Sequence, residues 1–258
     1  MNCAPMTADG GATSDDAALG GRLMLRQPRR GHRFGHDSIL LAAATLAHAG
    51  ERAVEFGAGV GAAGFALARR VERLSVTLVE IDPALVALAK DNAARNGLAA
   101  RVRAVCLDVT APPATFAAAG LPPGSADRVL MNPPFNTRQN SSPDESRRMA
   151  HAASSGLLAV WLRAAARLLV SGGTVTLIWR ADGLGDVLAA LAADFAAIAI
   201  MPVYGKPDSP AIRVLMRAVK HSKAPLSLLP GLILADKGGV PTAEAEAVLR
   251  DGAALAFS

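Results

Sequence analysis

Between Arg52 and Ala218 the chain alternates short apolar, β-branched runs with stretches of helical length, and this alternation limits the fold more than any other feature. Arg52–Phe56, Ser75–Glu80, Val102–Leu107, Arg128–Met131 and Thr174–Trp179 read as strands. Ala62–Arg70, Pro83–Asn96, Gly156–Leu169 and Gly185–Ala193 read as helices between them. Parallel neighbours need a crossover of a dozen or more residues, so repeated strand–helix units predict a three-layer α/β sandwich with a mostly parallel sheet. Two strands in succession, near Ala196–Val203 and Ile212–Ala218, predict one antiparallel edge strand. Local signals mark several boundaries. Asp82 and Pro83 open a helix that Gly97 closes. Asp37 or Ser38 is placed to cap a helix from Ile39 to about Ala49, and Thr242 to cap a final helix in Leu226–Ser258. Gly21–Leu25 reads as a short strand, followed by a basic loop from Arg26 to Gly35. Residues 1–20 have no apolar period and read as a disordered tail, leaving 21–258 as a single domain.

Composition excludes several classes. Apolar residues make up 51% of the 258, too many for a disordered chain. No apolar run reaches the roughly 18 residues of a membrane span, and the N-terminus has neither the basic nor the apolar region of a signal peptide. A cytoplasmic protein without membrane contact is expected. With only Cys3 and Cys106, the chain has neither a disulfide framework nor a Cys-rich zinc site, and no metal is expected. A formal charge of +5 leans mildly towards an acidic partner such as RNA.

Glu55-Phe-Gly-Ala-Gly-Val-Gly61 follows a strand and opens a helix. Gly57 and Gly59 let the backbone approach a ligand and take positive φ, at the carboxyl end of a strand where open α/β sheets bind ligands. Ala62 stands where the dinucleotide fingerprint has its third glycine, and alanine is permitted there, so spacing alone leaves NAD open. The later acids tilt the choice. Glu80 ends the second strand, where a carboxylate can accept from both hydroxyls of a ribose. Asp108 ends the third, where a carboxylate can accept from an adenine amine. Singly, Glu80, Asp82 and Asp108 are each as well explained as a helix cap or solvated strand end; the three together at consecutive strand ends, behind a glycine turn, are not.

Asn132-Pro133-Pro134-Phe135 ends the fourth strand. The prolines fix φ, restrict the preceding residue and remove two amide donors, which leaves nearby carbonyls free to accept. The Asn132 amide offers an acceptor and two donors, and Phe135 a flat face on which a base can stack. This set fits a planar NH2 group, whose delocalised lone pair makes it a poor nucleophile. Hydrogen bonds from its protons to Asn132 and a proline carbonyl favour pyramidalisation at nitrogen.

The glycine turn, Val79-Glu80-Ile-Asp82 and Leu107-Asp108 together resemble the first three motifs of class I S-adenosylmethionine methyltransferases, over about residues 22–220. The resemblance implies a seven-stranded Rossmann-like sheet and S-adenosyl-L-methionine as cofactor. It implies that Gly57 and Gly59 approach the methionine end, that Glu80 holds the ribose, that Asp108 binds the adenine amine, and that Glu55 orients the loop or meets the methionine. Asn132–Phe135 resembles the signature of amino-methyltransferases, whose members modify adenine N6, cytosine N4, guanine N2 or a glutamine amide. The segment Arg26–Leu41 is similar to the opening of the bacterial tRNA adenine-N6 methyltransferases acting beside the anticodon of a valine tRNA. Gln27, Gly31, Arg33, Phe34, Gly35, Asp37, Ser38 and Leu40 fit that pattern, and His32 departs from it. In such proteins this loop closes over the methionine end, which assigns Arg33, Phe34 and Asp37 to the cofactor site; a plain helix cap also explains Asp37.

An RNA partner, tRNA first, is therefore expected. Three basic stretches fit one: Arg26, Arg29, Arg30 and Arg33; Arg138 with Arg147 and Arg148 in a polar loop after Phe135; and Lys206, Lys220 and Lys223. Other NH2 targets, namely an rRNA base or a protein glutamine amide, stay open, as does a catalytically silent RNA-binding fold.

Overall fold

The computed structural model describes residues 13–31, 33–134 and 145–257, the backbone alone for 145–155. In chain order the elements are β1 (Thr13–Ala18), β2 (Leu23–Pro28), α1 (His36–Ala44), β3 (Arg52–Phe56), α2 (Ala62–Arg70), β4 (Ser75–Glu80), α3 (Pro83–Arg95), β5 (Val102–Cys106), α4 (Pro113–Ala118), β6 (Ala126–Met131), α5 (Glu145–Leu168), β7 (Leu169–Arg180), α6 (Leu184–Leu191), β8 (Phe195–Tyr204), β9 (Ala211–Lys220), β10 (Ser227–Leu228), β11 (Leu232–Ile233) and α7 (Ala243–Leu249).

One large sheet runs β5-β4-β3-β6-β7-β9-β8, and the short β10 and β11 pair with β8. Its central strands are buried on both faces, and β3 and β4 hide every residue but their first. Unbroken apolar runs such as Val76-Thr-Leu-Val79 are what a strand sandwiched by helices needs. Leu40, Phe65, Leu67 and Val86, from α1, α2 and α3, fill one side of the sheet. Phe116, Leu162, Val187 and Leu191, from α4, α5 and α6, fill the other.

Two expectations need correcting. The antiparallel strand is not at the edge: β9 lies between β7 and β8 and is antiparallel to both. The β8 strand stands one place beyond β7, and its hairpin partner folds back into the gap. Sequence signals give the direction of such a strand, but not the side on which it pairs. Beyond β8 the edge is covered by β10 and β11, so the sheet has nine strands rather than seven.

The second correction concerns residues 13–20. Thr13–Ala18 forms β1, antiparallel to β2, and a 3-10 turn follows at Leu19–Gly21. The acids that made this segment look like a tail are its anchors. Asp15 pairs with Arg26 (3.1 Å) and Arg95 (2.9 Å), while Asp16 accepts from Ser14, Gln27 and Arg33. The free edge of β2 is held by α3. Asn92 and Asn96, one turn apart, each accept from a β2 amide (Arg26, Met24) and donate to the same residue's carbonyl. Two side-chain amides thus do the work of a neighbouring strand.

Capping agrees with the sequence at two helices. Asp82 accepts from the Ala84 amide at 2.8 Å, and Thr242 from that of Ala245 at 3.1 Å. At α1 it differs: the helix starts at His36 after Gly35, with no side-chain cap, and Asp37 is engaged elsewhere.

Candidate active site

The carboxyl ends of β3, β4, β5 and β6 open on a cavity of about 610 Å³, lined among others by Gly57, Gly59, Glu80, Asp108, Asn132, Pro133 and Pro134. The parallel register of β3 with β4 and β6, and of β4 with β5, brings these separated motifs together.

The glycine turn forms one wall. Gly57 and Gly59 both have positive φ, +63° and +57°. A Cβ on Gly57 would stand 2.7 Å from Cη2 of Trp161, whereas one on Gly59 would meet nothing within 4 Å. Gly57 is therefore required by packing and Gly59 by conformation and by the open space before it. Trp161, on α5, packs edge-to-face on Phe56 with ring centroids 6.2 Å apart. Sequence reading missed Trp161 and Leu157, which line the cavity from a helix whose apolar spacing says only that it has a buried face.

Glu80 is buried at the strand end. One carboxylate oxygen accepts from the Gly59 amide at 2.8 Å; the other accepts from Ile81 and Asp82 at 2.8 and 3.0 Å. Three backbone donors occupy three of roughly four acceptor positions of a carboxylate. Glu80 is thus a strut for the turn as well as a wall of the cavity, with room for about one further donor. Asp108 accepts from the Thr110 amide at 2.7 Å, closing the turn after β5 while lining the cavity.

Glu55 lies behind the turn. It is fully enclosed and accepts from the Gly64 amide in the first turn of α2 at 2.7 Å. Burial pushes its pKa up to about 8, against the lowering effect of the Gly64 hydrogen bond and with a smaller contribution from the negative charge of Glu80. At neutral pH the group is mostly protonated. A Cβ on Gly64 would come within 2.8 Å of this carboxyl, so the close approach needs glycine there.

Asn132 carries the feature with the clearest chemical meaning. Its Oδ1 is buried and, among the described residues, has no hydrogen-bond partner. The residue lines both the main cavity and a small adjoining one shared with Phe34, Glu55, Gly57 and Gly59. A buried acceptor left unpaired costs about 1–3 kcal/mol, so an orphan on a cavity-lining residue is suited to a donor from a bound molecule. Phe135 lies outside the described residues, as do His32 and Arg138.

The N-terminal assignments divide. Phe34 stands beside the glycine turn, its amide held by Gln27 at 3.0 Å. Asp37 lines the main cavity and pairs with Arg213 of β9 at 2.9 Å. No motif pointed to Arg213, because only the antiparallel insertion of β9 brings it to the site. Arg33 is not among the residues lining the cavity. Its guanidinium is tied to Asp16, Ser14 and the Pro28 carbonyl, so β1 draws it to the N-terminal ribbon. The same strand engages the first basic stretch: Arg26 is paired with Asp15, and Arg29 donates to the Thr13 carbonyl.

Among the described residues no group of three His, Cys, Asp or Glu is placed to hold a metal, and no helix is long and apolar enough to cross a membrane.

A Rossmann-like sheet with a cleft at its strand ends is a nucleotide-binding architecture, and the family match fixes which one. Residues 33–200 match the family described as methyltransferase small domain, and the chain belongs to it. Its cofactor is S-adenosyl-L-methionine. The lining fits that molecule: buried and half-buried carboxylates to accept from hydroxyl and amine groups, and a glycine wall for close approach. The chain is 29% identical over 167 residues to a tRNA1(Val) (adenine(37)-N6)-methyltransferase of Tolumonas auensis, covering 64% of this chain and 66% of that protein. It is 30% identical over 200 residues to a release factor glutamine methyltransferase of Chlorobaculum tepidum, covering 72% and 65%. The matched regions thus span just under two thirds of these relatives' own length. Among solved structures, a predicted O-methyltransferase, protein Atu636 of Agrobacterium tumefaciens, superposes with a TM-score of 0.73 at 30% identity, over 85% of this chain and 98% of that one. TrmN of Thermus thermophilus shares the fold, with a TM-score of 0.51 at 22% identity over 72% and 48%.

Proposed function

We propose that this methyltransferase acts on an exocyclic amino group, with adenine N6 in tRNA as the first candidate. The observation that carries the reading is the buried Oδ1 of Asn132, unpartnered among the described residues, on a residue that lines the same cavity as Glu80 and Asp108. An amide oxygen is no base, so it serves poorly a hydroxyl acceptor that must lose its proton. An amine can attack first and release its proton to water after the methyl has moved from the sulfonium, so it needs acceptors while its nitrogen pyramidalises, and Asn132 with a proline carbonyl supplies them. The two relatives are named for an adenine amine and a glutamine amide, both NH2 groups conjugated to a π system.

In this reading Glu80 takes a ribose hydroxyl with its remaining acceptor position, and Asp108 takes the adenine amine. Gly57 and Gly59 give the methionine end its space, with Phe34 and Asp37 beside it. Glu55 acts from behind, holding the start of α2 against the glycine turn. The bound cofactor supplies an electrophilic methyl group on a sulfonium. The chain's own part is to exclude water with Trp161 and Leu157, to orient the amine at Asn132, and to stabilise charge developing on nitrogen. Phe135 is assigned the stacking of the target base from the sequence motif. The fit of Gln27–Leu40 to the tRNA enzymes favours RNA, and with it a cytoplasmic setting. A glutamine amide is the second reading, supported by the Chlorobaculum relative. Incubation with tritiated S-adenosyl-L-methionine and either total RNA or total protein separates them. Label in N6-methyladenine of tRNA supports the first, label in methylglutamine the second, and label in neither amine nor amide refutes the proposal.

A further inference from the structure

A second cavity, of about 210 Å³, opens at the opposite end of the sheet. It is lined by His48 ahead of β3, Arg70 at the end of α2, Arg128 on β6, Thr174 on β7 and Arg217 on β9. Three guanidinium groups thus share one small space, and one carboxylate answers them: Glu51 holds Arg128 at 2.6 and 2.9 Å. Arg70 donates to the Ala42 and Thr45 carbonyls at 2.7 and 2.6 Å, which fixes its position without cancelling its charge. Arg217 has neither kind of support. Among the described residues its buried Nε has no hydrogen-bond partner, and across the ladder the buried Thr176 hydroxyl has none either. Burial lowers the pKa of Arg70 to about 10 and lowers that of Arg217, where repulsion from Arg128 adds to the effect.

Held cations without counter-charges and an unused buried donor are costly for folding alone. The space far exceeds the roughly 30 Å³ of one water. We infer that this cavity is a binding site for a tetrahedral phosphoryl oxyanion, with Arg217 as its principal donor. Arg70 and Arg128 complete a cationic rim, and Thr174 can add a hydroxyl. The same chemistry is offered by free phosphate and by a nucleic-acid phosphodiester. The site lies away from Asn132, so it is independent of the methyl-transfer reading.

The test uses the full chain. Inorganic phosphate is titrated in calorimetrically, and melting is followed in phosphate and in chloride at matched ionic strength. A saturable one-site isotherm is expected, with Tm raised by about 3–6 °C at tenfold Kd. Arg217→Gln should abolish both responses and leave S-adenosyl-L-methionine affinity unchanged. If that variant does not fold, the wild-type isotherm decides alone, and a flat titration overturns the site. A saturable response retained by a folded Arg217→Gln protein overturns it too. In a second arm a short RNA duplex competes with phosphate. Competition identifies a backbone phosphodiester as the natural ligand, and its absence identifies free phosphate.

Discussion

Replacing Glu55 by Gln should change how stability depends on pH, and the structure sets both sign and size. The carboxyl is enclosed beside the Gly64 amide, and its pKa is near 8 when folded against 4.5 when exposed. Between these values the folded chain binds a proton that the unfolded chain releases. Stability from this group is therefore complete below pH 4.5 and is lost as pH rises through 8. A gap of that size integrates to roughly 4–5 kcal/mol as an upper bound, a large part of the 5–15 kcal/mol typical of a domain. Glutamine keeps a carbonyl for Gly64 and does not titrate. Urea unfolding of wild type and Glu55→Gln at half-unit steps from pH 5 to 8.5 isolates the term, because all other groups cancel in the difference. The wild type should lose stability relative to the variant by about 1 kcal/mol or more per pH unit near neutrality. Parallel profiles would show that Glu55 is ionised in the folded protein and refute the account of a carboxyl that burial keeps protonated at neutral pH.

Glu80→Ala should weaken S-adenosyl-L-methionine binding by about 1.5–3 kcal/mol by calorimetry, the worth of one charged hydrogen bond, and should also lower Tm because three amides lose their acceptor. Gly57→Ala places a Cβ 2.7 Å from Trp161 at positive φ and should cost about 1–3 kcal/mol in denaturant unfolding. Phe135→Ala should chiefly raise the KM for RNA, by the equivalent of about 1–3 kcal/mol of stacking, with kcat nearly kept; a fall in kcat alone would show that Phe135 does not stack the base.

The parts of the fold readable in sequence were those fixed by local chemistry. The β3 and β4 strands, the helix after the glycine turn and the Asp82 cap follow from apolar runs, glycine and a short acceptor side chain. What escaped were features settled between distant elements. Acidic, alanine-rich 13–18 has no strand signal of its own and is ordered by Arg26, Arg33 and Arg95. The same pairings took Arg33 from the cleft. Arg213 and Trp161 line the cavity because β9 inserts beside β7 and α5 packs on β6 and β7 with Trp161 against Phe56, placements that no spacing encodes. Glu80 and Glu55 stood out as acids at a strand end, yet only the structure separates one that props the turn and faces the cavity from one that is buried and protonated.

The central claim is that the orphaned oxygen of Asn132 receives a proton-bearing amine of the substrate in the transition state. Contacts made mainly there lower kcat when removed and leave ground-state binding alone. Single-turnover methylation of tRNA by Asn132→Ala, set beside its calorimetric affinity for S-adenosyl-L-methionine, tests this most directly. The account predicts unchanged cofactor affinity and a rate lower by about 10²–10³-fold, by analogy with the loss of one preorganised hydrogen bond at a dry site. A folded variant that binds the cofactor normally and methylates at a rate near that of wild type would contradict it.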